Sequence, residues 1–225
     1  MLKLLFSSFL LLISVSTVQA ASYKKDVERC AAIMKENPAE VEVIYNFGEL
    51  KYDFSKIGDD IPVPDYATDD GGTVNGLTEL DPHFGVETVT TASPLSDGRQ
   101  CFYPRKVTAK IWYKPTVYIA EGLKKSSCRF KVTMRHEQTH LDIGHQVLLM
   151  FAQALKVQIP IILDRVGPQV SRQKKETMKQ TGDAYNKKII ELNSVFINAL
   201  KQKNMELDTH ENYSNEDKLC HSASE

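Results

Sequence analysis

The segment best equipped for chemistry is His136-Glu137-Gln138-Thr139-His140. Histidines four residues apart project from one face of a helix, one turn from each other, so both imidazoles reach a single metal ion. Glu137 stands beside that face, where its carboxylate meets a water held by the metal without being a ligand itself. Zinc suits the pair: imidazole is among its preferred ligands, it has no redox chemistry to manage, and it lowers the pKa of bound water to roughly 7. Glu137 then takes the proton as water attacks a carbonyl and returns it to the departing amine. The chemistry so predicted is hydrolysis of a peptide or amide bond.

A catalytic zinc takes three protein ligands and keeps one position for water. His210, in Leu207-Asp208-Thr209-His210, is the leading candidate for the third ligand, because it follows a C-terminal helical stripe that can fold back over the motif helix. His145 is the alternative, although on a continuous helix it lies about 140° around from His140. Glu176, Asp183 and Glu191 are the carboxylate candidates, and His83 and His221 are the remaining histidines. Tyr113, Tyr118, Tyr185 and Tyr213 are available to stabilise an oxyanion, and spacing does not choose among them.

These residues need elements to hold them. Phe130, Met134, Leu141, Leu148, Phe151 and Leu155 recur at helical spacing, which predicts a long helix from Cys128 to Lys156, capped by Ser126 or Ser127 and stopped before Pro160. Before it, Val107, Ala109, Ile111 and Tyr113 alternate with Thr108, Lys110 and Trp112, and Val117 to Ile119 follow Pro115, so two strands lead into the helix. Alternation from Val41 to Phe54, past Gly48, reads as a strand or a bulged hairpin, and Asp26 to Lys35 as a short amphipathic helix. The stretch from Gly58 to Gly98 is dense in Asp, Gly, Pro, Thr and Ser and reads as loop with at most short strands; its cluster of Asp59, Asp60, Asp65, Asp69 and Asp70 is a solvated loop rather than a calcium site. Tyr185, Ile189, Leu192, Phe196 and Ala199 share one stripe, predicting a second long helix that ends near Met205. The pattern is that of one α+β domain over residues 21–225.

The chain has 225 residues, with 28 Lys+Arg against 29 Asp+Glu, a balance that lacks the basic excess needed to bind nucleic acid. An apolar content of 42% also argues against disorder. Lys3, the apolar run from Leu4 to Val15 and the small residues of Val18-Gln19-Ala20 have the three-part form of a signal peptide cut after Ala20. No later stretch is long and apolar enough to span, so the expectation is a secreted or periplasmic protein, soluble from Ala21 onward, with no stable membrane insertion. Cys30, Cys101, Cys128 and Cys220 all follow the cut and show no Cys-x-x-Cys spacing, which favours disulfides over metal knuckles. The favoured pairing is Cys101 with Cys128 and Cys30 with Cys220.

At the motif the chain resembles the zincin metallopeptidases, and more narrowly a bacterial family of secreted zinc-dependent proteases. The resemblance spans the signal peptide, the paired strands, the helix holding His136, Glu137 and His140, and the C-terminal helix, and only the motif in it is specific. It implies a zincin-like fold, with a small twisted sheet packed on the motif helix, a protein or peptide substrate, and pairing of that substrate with the segment Lys114 to Ala120 as an edge strand. Thr209 and His210 stand where the bacterial family carries a Thr and a His, which favours His210; His145 comes one residue too early for the extended metzincin motif. A carboxylate third ligand would instead match the gluzincins. Two other functions compete: a non-enzymatic zinc-containing envelope or secreted interaction domain, and a disulfide-braced periplasmic adaptor without metal.

Overall fold

A computed structural model describes residues 3–56, 61 and 74–221 of the chain. The order of elements is mixed α+β: α1 (Lys3–Glu36), β1 (Glu40–Asn46), β2 (Lys51–Asp53), β3 (Gly76–Glu79), β4 (Pro82–Pro94), β5 (Gln100–Tyr113), β6 (Thr116–Ile119), α2 (Cys128–Val166), β7 (Gln169–Ser171), α3 (Lys174–Ile190), α4 (Asn193–Leu207) and α5 (His210–His221). There are two sheets where one was expected. One runs β1-β5-β4 with β7 paired to β5, and the other runs β2-β6-β3. The residues around Gly48 therefore do not close a hairpin, because β1 and β2 belong to different sheets. The expected loop before Gly98 contains the thirteen-residue strand β4, whose β-branched Val and Thr residues suit an extended backbone in spite of their loop-like neighbours. The five aspartates of the acidic cluster lie outside the described residues.

The contacts fall into two compact units. The first comprises Met1–Glu42, Val86–Thr108 and Gln158–Ile189. Here α1 extends well before the expected start at Asp26 and ends at Glu36, where the side-chain amide of the next residue, Asn37, donates to the carbonyl of Ile33 at 2.8 Å just ahead of Pro38. Cys30 is fully buried and bridges to Cys101. Nearby, the buried Asp26 accepts from Arg99 Nε at 2.6 Å and from Ser96 Oγ, so its charge is paired inside the fold. Tyr185 of α3 is buried, and its hydroxyl donates to the carbonyl of Gly167 at 2.7 Å.

The second unit comprises Val43–Gly85, Ala109–Val157 and Ile190–Glu225. Its core stacks Phe151 on Phe196 at 4.7 Å and Tyr113 on Phe196 at 5.7 Å, with Phe84 edge-on to Phe151. The motif helix α2 begins where the sequence places it: Ser127 Oγ accepts from the Phe130 N–H at 3.1 Å. It does not stop before Pro160 but runs through it to Val166. A mid-helix proline costs about 3 kcal/mol, and here Ile159 and Leu163 are both buried around it, which offsets that cost. By length and composition α2 is apolar enough to cross a membrane, contrary to the expectation that no later segment qualifies, and part of that stretch is buried within the protein.

The expected single C-terminal helix is two, α3 and α4, and a further helix, α5, follows beyond its expected end near Met205. The stripe splits at Glu191 and Leu192, where Ser194 Oγ donates to the Glu191 carbonyl at 2.9 Å and the Val195 and Phe196 N–H groups turn to the Leu192 carbonyl. Tyr185 and Ile189 thus belong to the first unit, and Phe196 and Leu200 to the second. The disulfides also differ from the expected pairing. Cys30 joins Cys101, and Cys128 joins Cys220, closing loops of 71 and 92 residues. Each bridge lies within one unit, which is why the long-range pairing across the chain ends does not form. Two such bridges fit an oxidising extracellular or periplasmic compartment.

Candidate metal centre

His136 and His140 lie one turn apart on the buried face of α2, with exposures of 4% and 7%. The third group facing them is Asp208, the residue that follows α4. Its Oδ1 stands 3.1 Å from His136 Nε2 and 2.9 Å from His140 Nε2, and the two Nε2 atoms are 3.1 Å apart. Tetrahedral zinc with bonds of about 2.0–2.1 Å separates its ligand atoms by roughly 3.3 Å, so this triangle is nearly the right size for such an ion.

The outer partners fix what those three atoms present. His136 Nδ1 is 3.2 Å from Glu216, a carboxylate that can only accept, so the proton of His136 is on Nδ1. His140 Nδ1 is 2.9 Å from Asn204 Oδ1, which assigns the same tautomer. With both imidazoles neutral, as metal ligation requires, both Nε2 lone pairs then point at each other and at Asp208 Oδ1, leaving three acceptors with no hydrogen between them. A cation is what such a donor set fits, and histidines whose other ring nitrogen is held by a carboxylate or carbonyl are the usual form of a metal ligand. The described residues His136, His140 and Asp208 form a group that could hold a metal ion.

The C-terminal segment is built to deliver these partners. Asn204 lies in the last turn of α4 and Asp208 caps that turn, its N–H donating to the Asn204 carbonyl at 3.0 Å. Thr209 then caps a new helix, with its Oγ1 accepting from the Asn212 N–H at 3.2 Å, while the Asn212 side chain donates to the Leu207 carbonyl at 2.8 Å and holds the turn. On α5, Tyr213, Glu216 and Cys220 follow one another at spacings of three and four. Cys220 is bridged to Cys128, Asp217 pairs with Arg129, and Glu216 reaches His136, so three contacts lock α5 along the first turns of α2. Tyr213 donates to Asp208 Oδ1 at 2.8 Å, and its ring lies 5.0 Å from that of His136. Burial, followed by the Asp208 charge, pushes the Tyr213 pKa up, so its hydroxyl remains a donor.

No family model, no curated protein and no solved structure matches this chain. The site is therefore read from its own geometry.

Glu137 is 3% exposed and faces the sheet. Its Oε2 accepts from Thr78 Oγ1 on β3 at 2.8 Å, and the Thr78 hydroxyl also lies 3.1 Å from the Glu137 carbonyl oxygen. A Cβ on Gly76 would fall 2.7 Å from Glu137 Oε1 and 2.6 Å from the Thr133 methyl, so β3 approaches the motif helix this closely only because residue 76 is glycine. Burial raises the Glu137 pKa, a shift that the charges of His140 and His136 and the Thr78 bond only partly oppose. The segment Lys114 to Ala120 is not an open edge: β6 lies between β2 and β3, pairing Val117 with Tyr52 on one side and with Thr78 on the other. The strand nearest Glu137 is β3.

The other sequence candidates lie elsewhere. His210, expected as the third ligand, opens α5 and is exposed; Asp208, two residues earlier, takes the position expected of it. His145 is exposed on α2, its ring 5.3 Å from that of Phe47. Glu176 and Asp183 sit in exposed i,i+4 contacts with Gln180 and Lys179 on α3, and Glu191 is exposed between α3 and α4. His83 bonds Asp81 and stacks on Trp112, and His221 is the last residue of α5. Among the four tyrosines, only Tyr213 is bonded to the His136, His140 and Asp208 group: Tyr113 is buried in the core, Tyr118 bonds Glu79 and Tyr185 bonds Gly167.

Two predictions follow from this shell. Asn204→Ala removes the acceptor that orients His140 and should weaken metal affinity by ~10–100-fold, measured by competition with a chromophoric chelator. An unchanged affinity would show that Asn204 does not set the tautomer. The second concerns pH. In the metal-free chain burial pulls both imidazole pKa values down, but the hydrogen bond to Asp208 and the neighbouring carboxylate charges more than offset it, leaving both raised. A raised folded-state pKa contributes stability that is fully present below the unfolded value of about 6.5 and lost as pH rises through the folded value. The unfolding midpoint of the metal-free protein should therefore fall as pH rises above about 6.5, and His140→Gln should flatten the fall. A midpoint that rises over this range reverses the sign.

Proposed function

We propose that this chain is a secreted or periplasmic zinc-dependent peptidase that acts on a protein or peptide substrate, exported by a signal peptide removed after Ala20. The observation that carries the reading is the convergence of His136 Nε2, His140 Nε2 and Asp208 Oδ1 within 2.9–3.1 Å on the helix that also bears Glu137. When bound there, zinc supplies a Lewis acid and a water far more acidic than bulk water. Glu137 accepts the proton of the attacking water; its raised pKa suits a group that must take a proton near neutral pH and give it up again. Tyr213, whose single hydroxyl proton is donated to Asp208, orients that carboxylate.

A second reading, a non-enzymatic zinc-containing domain, has one observation in its favour: Glu137 is almost fully buried and already bonded to Thr78. Zinc-loaded protein incubated with denatured casein, with and without chelator, separates the two. Chelator-sensitive cleavage supports the peptidase; one equivalent of zinc by elemental analysis with no cleavage supports the structural site. Absence of zinc from both the purified and the reconstituted protein sinks both.

A further inference from the structure

Helix α5 lies against one side of the metal centre. The Tyr213 ring is 5.0 Å from that of His136, the Tyr213 hydroxyl is held by Asp208, and Glu216 reaches His136 Nδ1 at 3.2 Å. Yet α5 is only twelve residues long, and none of residues 210–220 is buried. Its apolar members are open to water as well, Tyr213 at 43% and Leu219 at 45% exposure. A helix this short is marginal in water by itself, and one that buries no side chain gains little from packing. The ion pair between Arg129 and Asp217 is exposed on both sides and adds little. The covalent Cys128–Cys220 bridge is therefore the strongest tie between α5 and the start of α2.

The two bridges of the chain differ in access. Cys30 and Cys101 are both fully buried, whereas Cys128 and Cys220 are half-buried. Exchange needs a thiolate to reach a bridge sulfur, so a dithiol attacks the second bridge in preference to the first. One thiolate of the dithiol forms a mixed disulfide with Cys128 or Cys220, its second thiol resolves it, and two electrons and two protons pass to the protein. Cys128 and Cys220 are left as thiols and the donor as a disulfide; a disulfide donor reverses the step. Opening removes what holds Tyr213 against Asp208 and Glu216 against His136, and it changes no ligand atom. We propose, on the reading of His136, His140 and Asp208 as zinc ligands, that the Cys128–Cys220 bridge is a redox latch. Closed, it straps α5 against the site and tightens the hold on the ion; open, it frees α5 and loosens that hold.

The test compares the oxidised protein with two opened forms. One is the double variant Cys128→Ser/Cys220→Ser; the other is wild type reduced by dithiothreitol without denaturant and capped with iodoacetamide, which keeps the new thiols from binding zinc. Peptide mapping of the capped protein should find the label on Cys128 and Cys220, with Cys30 and Cys101 still bridged. Amides of residues 210–220 should lose hydrogen-exchange protection while those of residues 136–155 keep theirs. Zinc affinity, read by chelator competition, should fall at least tenfold in both opened forms, the loss typical of removing the outer partners of metal ligands. A smaller loss overturns the latch, as does label on Cys30 and Cys101 at the same dithiol concentration. Global unfolding on opening also overturns it, because the bridge would then be a staple of the whole fold. If the double variant does not fold, the capped wild type, folded before it was opened, decides the question. Absence of zinc binding by the oxidised protein is a different failure, which removes the metal centre itself and the latch with it.

Discussion

Glu137→Gln should retain the metal and lose ~10²–10⁴-fold in peptide hydrolysis, equivalent to about 3–5 kcal/mol of transition-state stabilisation. The amide has nearly the shape of the carboxylate and keeps an oxygen to accept from Thr78, a bond now 2.8 Å long. It cannot take a proton from water. Folding should not suffer, because the substitution replaces a buried ionisable group by a neutral one in a pocket closed by Gly76 and Thr133. The comparison is made on zinc-loaded protein, with metal content and cleavage read on the same sample. Cleavage at the wild-type rate would remove Glu137 from the base role, while equal inactivity of both proteins at full zinc occupancy would favour the non-enzymatic reading. The two failures are therefore distinct.

What the sequence disclosed about this site is what local spacing encodes. Two histidines at i and i+4 on an apolar-striped helix must share a face, and the Ser127 cap marks the helix start through a contact three residues long. The rest depends on contacts between distant segments. Pro160 is a local stop signal that burial of Ile159 and Leu163 overrides, and the β-branched Val and Thr residues of β4 are masked by the Gly-, Pro- and Asp-rich sequence around them until pairing with β5 shows the strand. The cysteine pairing follows from which elements share a compact unit, which four cysteine positions cannot reveal. The break after Ile190 has no glycine or proline to announce it; its sign is Ser194, which turns back on the Glu191 carbonyl. That break begins the segment of α4 and α5 that supplies Asn204, Asp208, Tyr213 and Glu216. The carboxylate candidates Glu176, Asp183 and Glu191 did not include Asp208, though one signal for it was present. Thr209 followed by Asn212 has the form of a helix start, which assigns His210 to the first turn of a new helix and leaves Asp208 in the turn before it.

The assignment of Asp208 is tested against the histidine it displaces. Asp208→Ala should weaken zinc affinity by more than the ~10–100-fold expected for the outer partner Asn204, because it deletes one of the three atoms that would hold the ion. His210→Ala should leave affinity close to wild type, since that side chain is exposed at the start of α5. The loss in Asp208→Ala has two sources. The ion loses a charged ligand, and Tyr213 loses the acceptor that holds its hydroxyl beside the imidazoles. Tyr213→Phe separates them: it keeps the carboxylate and should cost far less affinity than Asp208→Ala. Folding is controlled by Asp208→Asn, which preserves shape and an oxygen acceptor for Tyr213 while removing the charge that pairs with two imidazoles. If His210→Ala abolishes binding while Asp208→Ala and Asp208→Asn bind zinc as tightly as wild type, the ion is held by a different turn of the C-terminal segment, and the triangle around His136 and His140 is then a hydrogen-bonded cluster rather than a metal site.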